Sequence, residues 1–255
     1  MDEIPLTEFD PDRNAIIQPP MLREDITLHE RCVLPIYSSL IKEMLNDGRL
    51  KKAYDIKSGS GTPMNAVFYY EYRGETITVA NPGIGAPYAS AILEELIALG
   101  CRKFISCGSC GVLDSDLKRG TVIIPSSAIR DEGTSYHYMP PSREIEMETE
   151  VVKKLESVLT RHGTEFKTGK TWTTDAFYRE TRGKTKIRKE EGCIAVDMEC
   201  SAFLAVAQFR GVLFGQYLSA SDDISGEEWD LRPGDDRKSA QEKIFQLSVE
   251  AVLTL

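Results

Sequence analysis

Long apolar segments are absent from this sequence: no run approaches the about 18 residues expected of a membrane helix. The first residues, Met1–Glu3, are acidic and no apolar segment of a secretory signal follows them. Basic charge is also scarce, because 31 Lys and Arg stand against 40 Asp and Glu, a net charge of -9. Nucleic-acid surfaces need clustered basic residues. We therefore expect a soluble cytoplasmic protein that binds neither membranes nor nucleic acids.

A disulfide framework is lacking as well, since the six cysteines are scattered through apolar or glycine-rich segments. Cys107 and Cys110 have the Cys-x-x-Cys spacing of redox and zinc motifs. A redox motif would open a helix, and a zinc site would need a second ligand pair at suitable spacing, which is not present. We interpret Cys107–Cys110 as a glycine-rich turn with two small buried thiols, and we predict no metal site.

The chain is long enough for one large domain, and no low-complexity linker divides it. Residues 1–30 contain several prolines without periodicity, which predicts an extended arm on the surface or on a partner subunit. Residues 31–255 alternate predicted strands and helices, which is typical of an α/β three-layer α/β/α sandwich around a mainly parallel or mixed sheet. Among the predicted strands are 103–107, which ends at the turn just described, and 213–219.

Carboxylates stand at the end of one apolar strand. Asp197, Met198 and Glu199 interrupt the apolar run 193–196, and a helix of small residues follows. Ser221, Asp222 and Asp223 come about twenty residues later. Ligands of open α/β sheets bind where strands give way to helices, and buried acids are costly unless a polar partner binds them. This region is therefore the predicted site.

Four further motifs accompany the triplet, and together they resemble the nucleoside phosphorylase and nucleosidase superfamily. The triplet resembles that family's Val-Glu-Met-Glu-Ala signature. Pro82–Gly85 resembles its Thr-Gly-Ile-Gly turn, and Gly108–Gly111 its Gly-Thr/Ser-x-Gly turn. The remaining matches are Arg130–Tyr138, which is similar to a uridine phosphorylase segment, and Thr174–Tyr178, which is similar to the Ser/Thr-Asp-x-Phe-Tyr segment. The resemblance implies a nucleoside phosphorylase-like fold with a central mixed sheet.

The resemblance also implies roles for individual residues. Glu199 would bind the ribose hydroxyls, Met198 would pack on the sugar, and Asp222 would be the acid that protonates the leaving purine. The implied substrate-binding residues are Asp197, Phe177, Tyr178, Gly83, Gly85, Gly108, Ser109, Ser221 and His137. Structural roles are the alternatives. Glu199 and Asp222 are also typical helix caps, and His137 is as readily a hydrogen-bonded structural residue as a base. For Asp223 we predict a structural role.

The reaction follows from the charge that must be stabilised when an N-glycosidic bond breaks. We predict that a nucleoside is cleaved by phosphate to free base and ribose 1-phosphate, without metal or organic cofactor. Thr181 and Gly183 stand where uridine phosphorylases carry Gln and Arg, which favours purines over uridine.

The identity of the nucleophile stays open, because no arginine stands within Leu34–Leu40 or at Ser106, where the family carries phosphate-binding arginines. Backbone amides of the glycine turns, or Arg23, Arg31, Arg73 or Arg130, could hold an anion instead. Hydrolysis by water is the first alternative, and a catalytically weak nucleoside-binding or storage protein is the second. The resemblance further implies a homo-oligomer, either a dimer or a hexamer.

Overall fold

A computed structural model describes residues 4–19, 26–57, 63–234 and 237–255, so Arg23 and part of the predicted arm lie outside the described residues. The helices are α1 (Ser38–Asn46), α2 (Ala86–Ala98), α3 (Thr149–Arg161), α4 (Arg182–Glu190), α5 (Cys200–Arg210) and α6 (Arg237–Val252). The strands are β1 (Arg31–Pro35), β2 (Leu50–Lys57), β3 (Pro63–Tyr72), β4 (Glu75–Ala80), β5 (Lys103–Val112), β6 (Val122–Asp131), β7 (Glu144–Glu146), β8 (Phe166–Thr174), β9 (Cys193–Asp197) and β10 (Leu213–Asp223).

The strands form one mixed sheet in the order β10-β6-β8-β9-β5-β1-β4-β3-β2, with β7 added beside β6. β5 also pairs with β10 in parallel, so five strands close into a barrel at one end of the sheet. Helices α1, α3 and α6 pack together, whereas α2 packs on α5. On β10, Phe214 contacts Phe203 of α5 while a side chain at Gly215 would meet α3, so the two helix groups cover opposite faces. The predicted α/β/α sandwich with a central mixed sheet is confirmed.

Glycine residues 108 and 111 lie inside β5 rather than in a turn, which corrects the sequence prediction. β5 continues to Val112 because it pairs with β10 through Cys110 and Ala220 and with β9 at Gly111. A Cβ at Gly108 would lie 3.2 Å from Ile36 Cδ1, and one at Gly111 would lie 3.0 Å from Val196 Cγ1. The glycines therefore permit close approach of neighbouring chains. β10 extends four residues beyond the predicted Ser219, because it pairs with β5 as far as Asp223 and Val112. It therefore carries Asp222 on the strand itself.

The described part of the N-terminal segment contains a short 3-10 helix, Pro5–Thr7, and is mostly exposed. Leu6 lies beside Gly133, and the Arg13 carbonyl accepts a hydrogen bond from Arg210 at the end of α5. The segment thus lies along the loop that follows β6. No helix in the described ranges combines the length and apolarity needed to cross a bilayer.

Candidate active site

One cavity of about 580 Å³ opens at the ends of β4, β5, β8, β9 and β10. Its volume lies within the range typical of small-molecule sites. Its walls combine apolar and acidic side chains, and no Lys or Arg lines it in the described ranges. The lining residues are Ile36, Tyr37, Ile84, Ser109, Cys110, Gly111, Phe177, Tyr178, Glu180, Val196, Asp197, Met198, Glu199, Asp222, Ile224 and Trp229.

Both carboxylate oxygens of Asp197 accept hydrogen bonds from the protein at the junction of β9 and α5. Its Oδ2 accepts the backbone N–H groups of Glu199 (2.9 Å) and Cys200 (2.6 Å), so it caps the first turn of α5. Its Oδ1 accepts the hydroxyls of Thr171 (3.2 Å) and Thr173 (2.9 Å) from β8. Burial raises the pKa of Asp197, and these donors act in the opposite direction. The carboxylate therefore holds the backbone of Met198 and Glu199 in place.

Glu199 is 5% exposed and its carboxylate faces the cavity. Oε1 accepts the backbone N–H of Gly85 at 2.7 Å, which ties the residue to the turn after β4. Burial, and secondly the charge of Asp197, raise the pKa of Glu199 to about 8. Met198 lies half-buried beside it on the cavity wall. The hydrogen bond from Gly85 therefore holds a buried carboxyl group against the cavity.

Asp222 lies at the other side of the cavity, near the end of β10. Its Oδ2 accepts the indole N–H of Trp229 at 2.7 Å. Its neighbour Asp223 points elsewhere: it accepts the N–H of Ser225 and pairs with Arg232. Asp223 thus fixes the chain that carries Trp229, while Asp222 lines the cavity.

Aromatic side chains form the rim. Phe177 and Tyr178 belong to a 3-10 helix, Phe177–Arg179, and their ring centroids are 4.0 Å apart. They are 48% and 88% exposed, and Trp229 is 65% exposed. Glu180 follows directly and lines the cavity. This rim offers flat apolar faces to a planar ligand.

The comparisons with known proteins agree with this architecture. A family model described as the phosphorylase superfamily matches residues 44–254. The chain belongs to the phosphorylase superfamily. It is 24% identical over 249 residues to guanosine phosphorylase of Halorubrum lacusprofundi, which covers 93% of this chain and 99% of the relative. It is 29% identical over 189 residues to a DeoD-type purine nucleoside phosphorylase of Bacillus cytotoxicus, covering 71% of this chain and 77% of the relative.

Solved structures show the same fold. Purine nucleoside phosphorylase of Toxoplasma gondii, in complex with immucillin-H, superposes with a TM-score of 0.77 at 23% identity, covering 95% of this chain and 98% of that chain. Uridine phosphorylase of Vibrio fischeri gives a TM-score of 0.69 at 22% identity and covers 89% of both chains. The predicted family and enzyme class, a glycosyltransferase of the nucleoside phosphorylase type, are confirmed.

Several residues implied by the resemblance lie around the cavity of this superfamily member rather than in its lining. Gly108 is buried against Ile36, and Gly83 lines a neighbouring groove with Tyr88. Ser221 lines a smaller polar pocket of about 130 Å³, which shares Tyr37 and Ser109 with the main cavity. His137 is exposed on the loop after β6 and is absent from the cavity lining.

The arginines considered as anion ligands are engaged elsewhere. Arg31 pairs with Glu75, and Arg73 pairs with Glu250. Arg130 is buried, with its guanidinium bonded to Ser135, Ser142 and two carbonyls. Arg119 lines the smaller polar pocket, which shares Tyr37 and Ser109 with the cavity. Its position just before β6 carries no sequence signal for a site.

Sequence reasoning also missed Tyr37, Glu180 and Trp229. Tyr37 is 6% exposed, and its hydroxyl, close to Ser109, makes no hydrogen bond of good geometry in the described residues. Glu180 and Trp229 belong to irregular segments without periodicity, so no pattern could have selected them.

Cys107 and Cys110 are buried free thiols, and burial raises the pKa of both. Across the described ranges, no group of three or more His, Cys, Asp and Glu is arranged to hold a metal.

Proposed function

We propose that the protein cleaves the N-glycosidic bond of a purine nucleoside, with phosphate as the nucleophile, to give free base and ribose 1-phosphate. The observation that carries the proposal is one cavity lined by a buried carboxyl, Glu199, and by the acids and aromatic rings near Trp229. Glu199 would bind the ribose hydroxyls. The aromatic rings would stack on the base, and the acids would stabilise its departure.

The roles of the individual groups follow from charge. A ribose that loses its base becomes oxocarbenium-like, and the base becomes electron-rich. The ionised form of Glu199 accepts both ribose hydroxyls and stabilises the developing positive charge. Asp222 stands with Phe177 on the base side. We propose Asp197 as a positioning residue, since its four hydrogen bonds go to the protein.

Phosphate as the nucleophile is supported by the smaller polar pocket. Arg119, Ser109, Ser219 and Ser221 line it, and Ser109 belongs to both pockets. Hydroxyls, backbone amides and one guanidinium are suitable ligands for an anion. Hydrolysis by water is the second candidate, and the cavity itself favours it, because its described lining is acidic and contains no basic side chain.

Product analysis tests both candidates. The protein is incubated with guanosine, inosine, adenosine and uridine, with and without phosphate, and the products are separated by chromatography. Phosphorolysis predicts purine release only with phosphate, together with ribose 1-phosphate. Release of base and free ribose without phosphate would establish hydrolysis. No release from any nucleoside would contradict both and favour a binding protein.

Ser109→Ala sharpens the choice of nucleophile. If phosphate uses this hydroxyl, the variant should raise the KM for phosphate by about tenfold, the value of one hydrogen bond to a charged group. The KM for the nucleoside should change less. Thr76→Ala, whose exposed hydroxyl bonds Glu71 on the β3–β4 hairpin, is the control.

We also propose a homo-oligomer. Leu45, Ile84 and Tyr88 are exposed around the groove between α1 and the start of α2, close to the cavity mouth. A second copy of the chain would cover these side chains. Sedimentation equilibrium checks the proposal, and a monomer at micromolar concentration would contradict it.

A further inference from the structure

Glu180 is a carboxyl group of the cavity that no motif and no resemblance singled out. It follows the rim residues Phe177 and Tyr178, and its backbone N–H donates to the Phe177 carbonyl at 3.1 Å. The side chain is partly buried and lines the cavity. Its carboxyl has no hydrogen-bond or ion-pair partner in the described residues. An unpartnered carboxyl in such a position is available to a ligand.

Asp222 faces the same space but is already bonded. Its Oδ2 accepts the Trp229 indole N–H at 2.7 Å. The two carboxyls therefore differ: one oxygen of Asp222 already accepts a hydrogen bond from the protein, whereas neither oxygen of Glu180 has a hydrogen-bond partner in the described residues.

The charges around Glu180 favour its protonated form. The ionisable groups that line the cavity from other elements are Asp222 of β10, Asp197 and Glu199 at the end of β9, Cys110 of β5 and Tyr37 after β1. Tyr178 and Arg179 precede Glu180 in the chain, and Arg182, two residues after it, pairs with Glu227. Burial, and secondly the charge of Asp222, raise the pKa of Glu180 to about 7. A carboxyl close to a second carboxylate keeps its proton to higher pH, so it can serve as an acid near neutral pH.

We propose that Glu180 is a catalytic residue and that it, rather than Asp222, gives the proton to the departing purine. The inference rests on the proposed function. As the bond from C1′ to N9 breaks, its electron pair moves into the base, and the Glu180 proton passes to N7. Glu180 is left as a carboxylate and regains a proton from solvent after the base leaves. The negative charge of Asp222 favours the proton on Glu180 before the reaction.

A substrate that needs no proton tests this role. In 7-methylguanosine N7 is methylated and the base is already cationic, so it leaves without protonation. Glu180→Gln should lower kcat/KM for guanosine by about 10²–10⁴-fold, the usual contribution of a general acid. For 7-methylguanosine the change should stay within about threefold. Glu190→Gln, on the exposed face of α4 near Lys186, is the matched control and should change neither.

The pH profile gives a second readout with guanosine alone. The ratio of wild-type kcat/KM to that of Glu180→Gln should fall as the pH rises above about 7, because Glu180 loses its proton. Glu199, whose pKa is about 8, titrates in both proteins, so its effect cancels from the ratio. In Asp222→Asn the fall should move to lower pH, because removal of a like charge lowers the pKa of Glu180.

Three results would overturn the inference. They are equal losses on guanosine and 7-methylguanosine, an unchanged rate with guanosine, and a pH profile that Glu180→Gln does not alter. In each case the wild-type protein still releases base, so the proposed function stands. A wild-type protein that releases no base would overturn both.

Discussion

The two sides of the cavity are built differently. Glu199 is 5% exposed and held by the Gly85 N–H, and the adjacent Asp197 makes four hydrogen bonds to β8 and to the start of α5. The rim of Phe177, Tyr178 and Trp229 is between 48% and 88% exposed. The Trp229 indole bonded to Asp222 is the one side-chain hydrogen bond that these three rings make in the described residues.

Under the proposed function, this contrast would separate binding of the sugar from recognition of the base. A carboxyl held by a buried network is preorganised and loses little freedom when it binds hydroxyls. An exposed rim can adjust to different rings. We therefore expect the Glu199 side to determine the rate for every nucleoside, and the Trp229 side to determine the choice among them.

The largest effect on kcat/KM is expected from the loss of the Glu199 carboxyl. Glu199→Ala should lower kcat/KM by about 10²–10⁴-fold for all nucleosides that the protein cleaves, since it would remove the two hydrogen bonds proposed between the Glu199 carboxylate and the ribose hydroxyls, at about 1.5–3 kcal/mol each. Asp222→Ala should lower turnover by less than Glu199→Ala and without loss of fold, because Asp222 acts on the reaction through the proton on Glu180. Steady-state kinetics and circular dichroism check this. If both variants cleave every substrate at rates close to those of Glu190→Ala, the assignment of the site is wrong.

Glu199, on the buried side of the cavity, should also make the free energy of unfolding depend on pH. The pKa of Glu199 is about 8 in the folded chain, above the ordinary 4.5 of an unfolded one. The folded state therefore binds the extra proton between these values, and the free energy of unfolding should fall as the pH rises through this window. Glu199→Gln cannot titrate, so its stability relative to wild type should increase from about pH 5 to about pH 8 by on the order of 2–4 kcal/mol.

Urea unfolding at the two pH values measures this difference. Glu190→Gln, which replaces an exposed acid, is the control and should follow wild type at both. A constant difference between wild type and Glu199→Gln would mean that Glu199 titrates normally and is not buried as described.

The smallest effect is expected at the rim. Trp229→Phe removes the N–H that bonds Asp222 but keeps an aromatic face, and the side chain is 65% exposed. Stability should change by less than about 0.5 kcal/mol, while the ratio of kcat/KM values between guanosine and adenosine should shift a few-fold. Thermal unfolding and a substrate comparison check the two parts. A stability loss above about 1 kcal/mol would show that the rim is as fixed as the Glu199 side.

Much of the fold was predictable, because periodicity and caps are local signals. The helix predicted from Pro87 to Leu99 with Gly100 after it corresponds to α2. The glycines of β5 were misread, because a glycine in a turn and a glycine at a close approach of two chains look the same in sequence. The division into an N-terminal arm and one domain, the oligomer and the roles of the site residues remain predictions.

The family, the layered α/β architecture and the clustering of the Asp197–Glu199 triplet with Asp222 could be predicted from the order of amino acids, since strand ends and their motifs are encoded in short segments. The folded chain alone reveals that both oxygens of Asp197 accept hydrogen bonds from backbone and threonine donors, that Arg130 is buried elsewhere, and that Glu180 and Trp229 line the same cavity as Asp222. The hydrogen bonds of Asp197 to Thr171 and Thr173 join residues that are 26 and 24 positions apart, so no local pattern encodes them. Their hydrogen bonds and pKa values depend on which groups the folded chain brings together and removes from water.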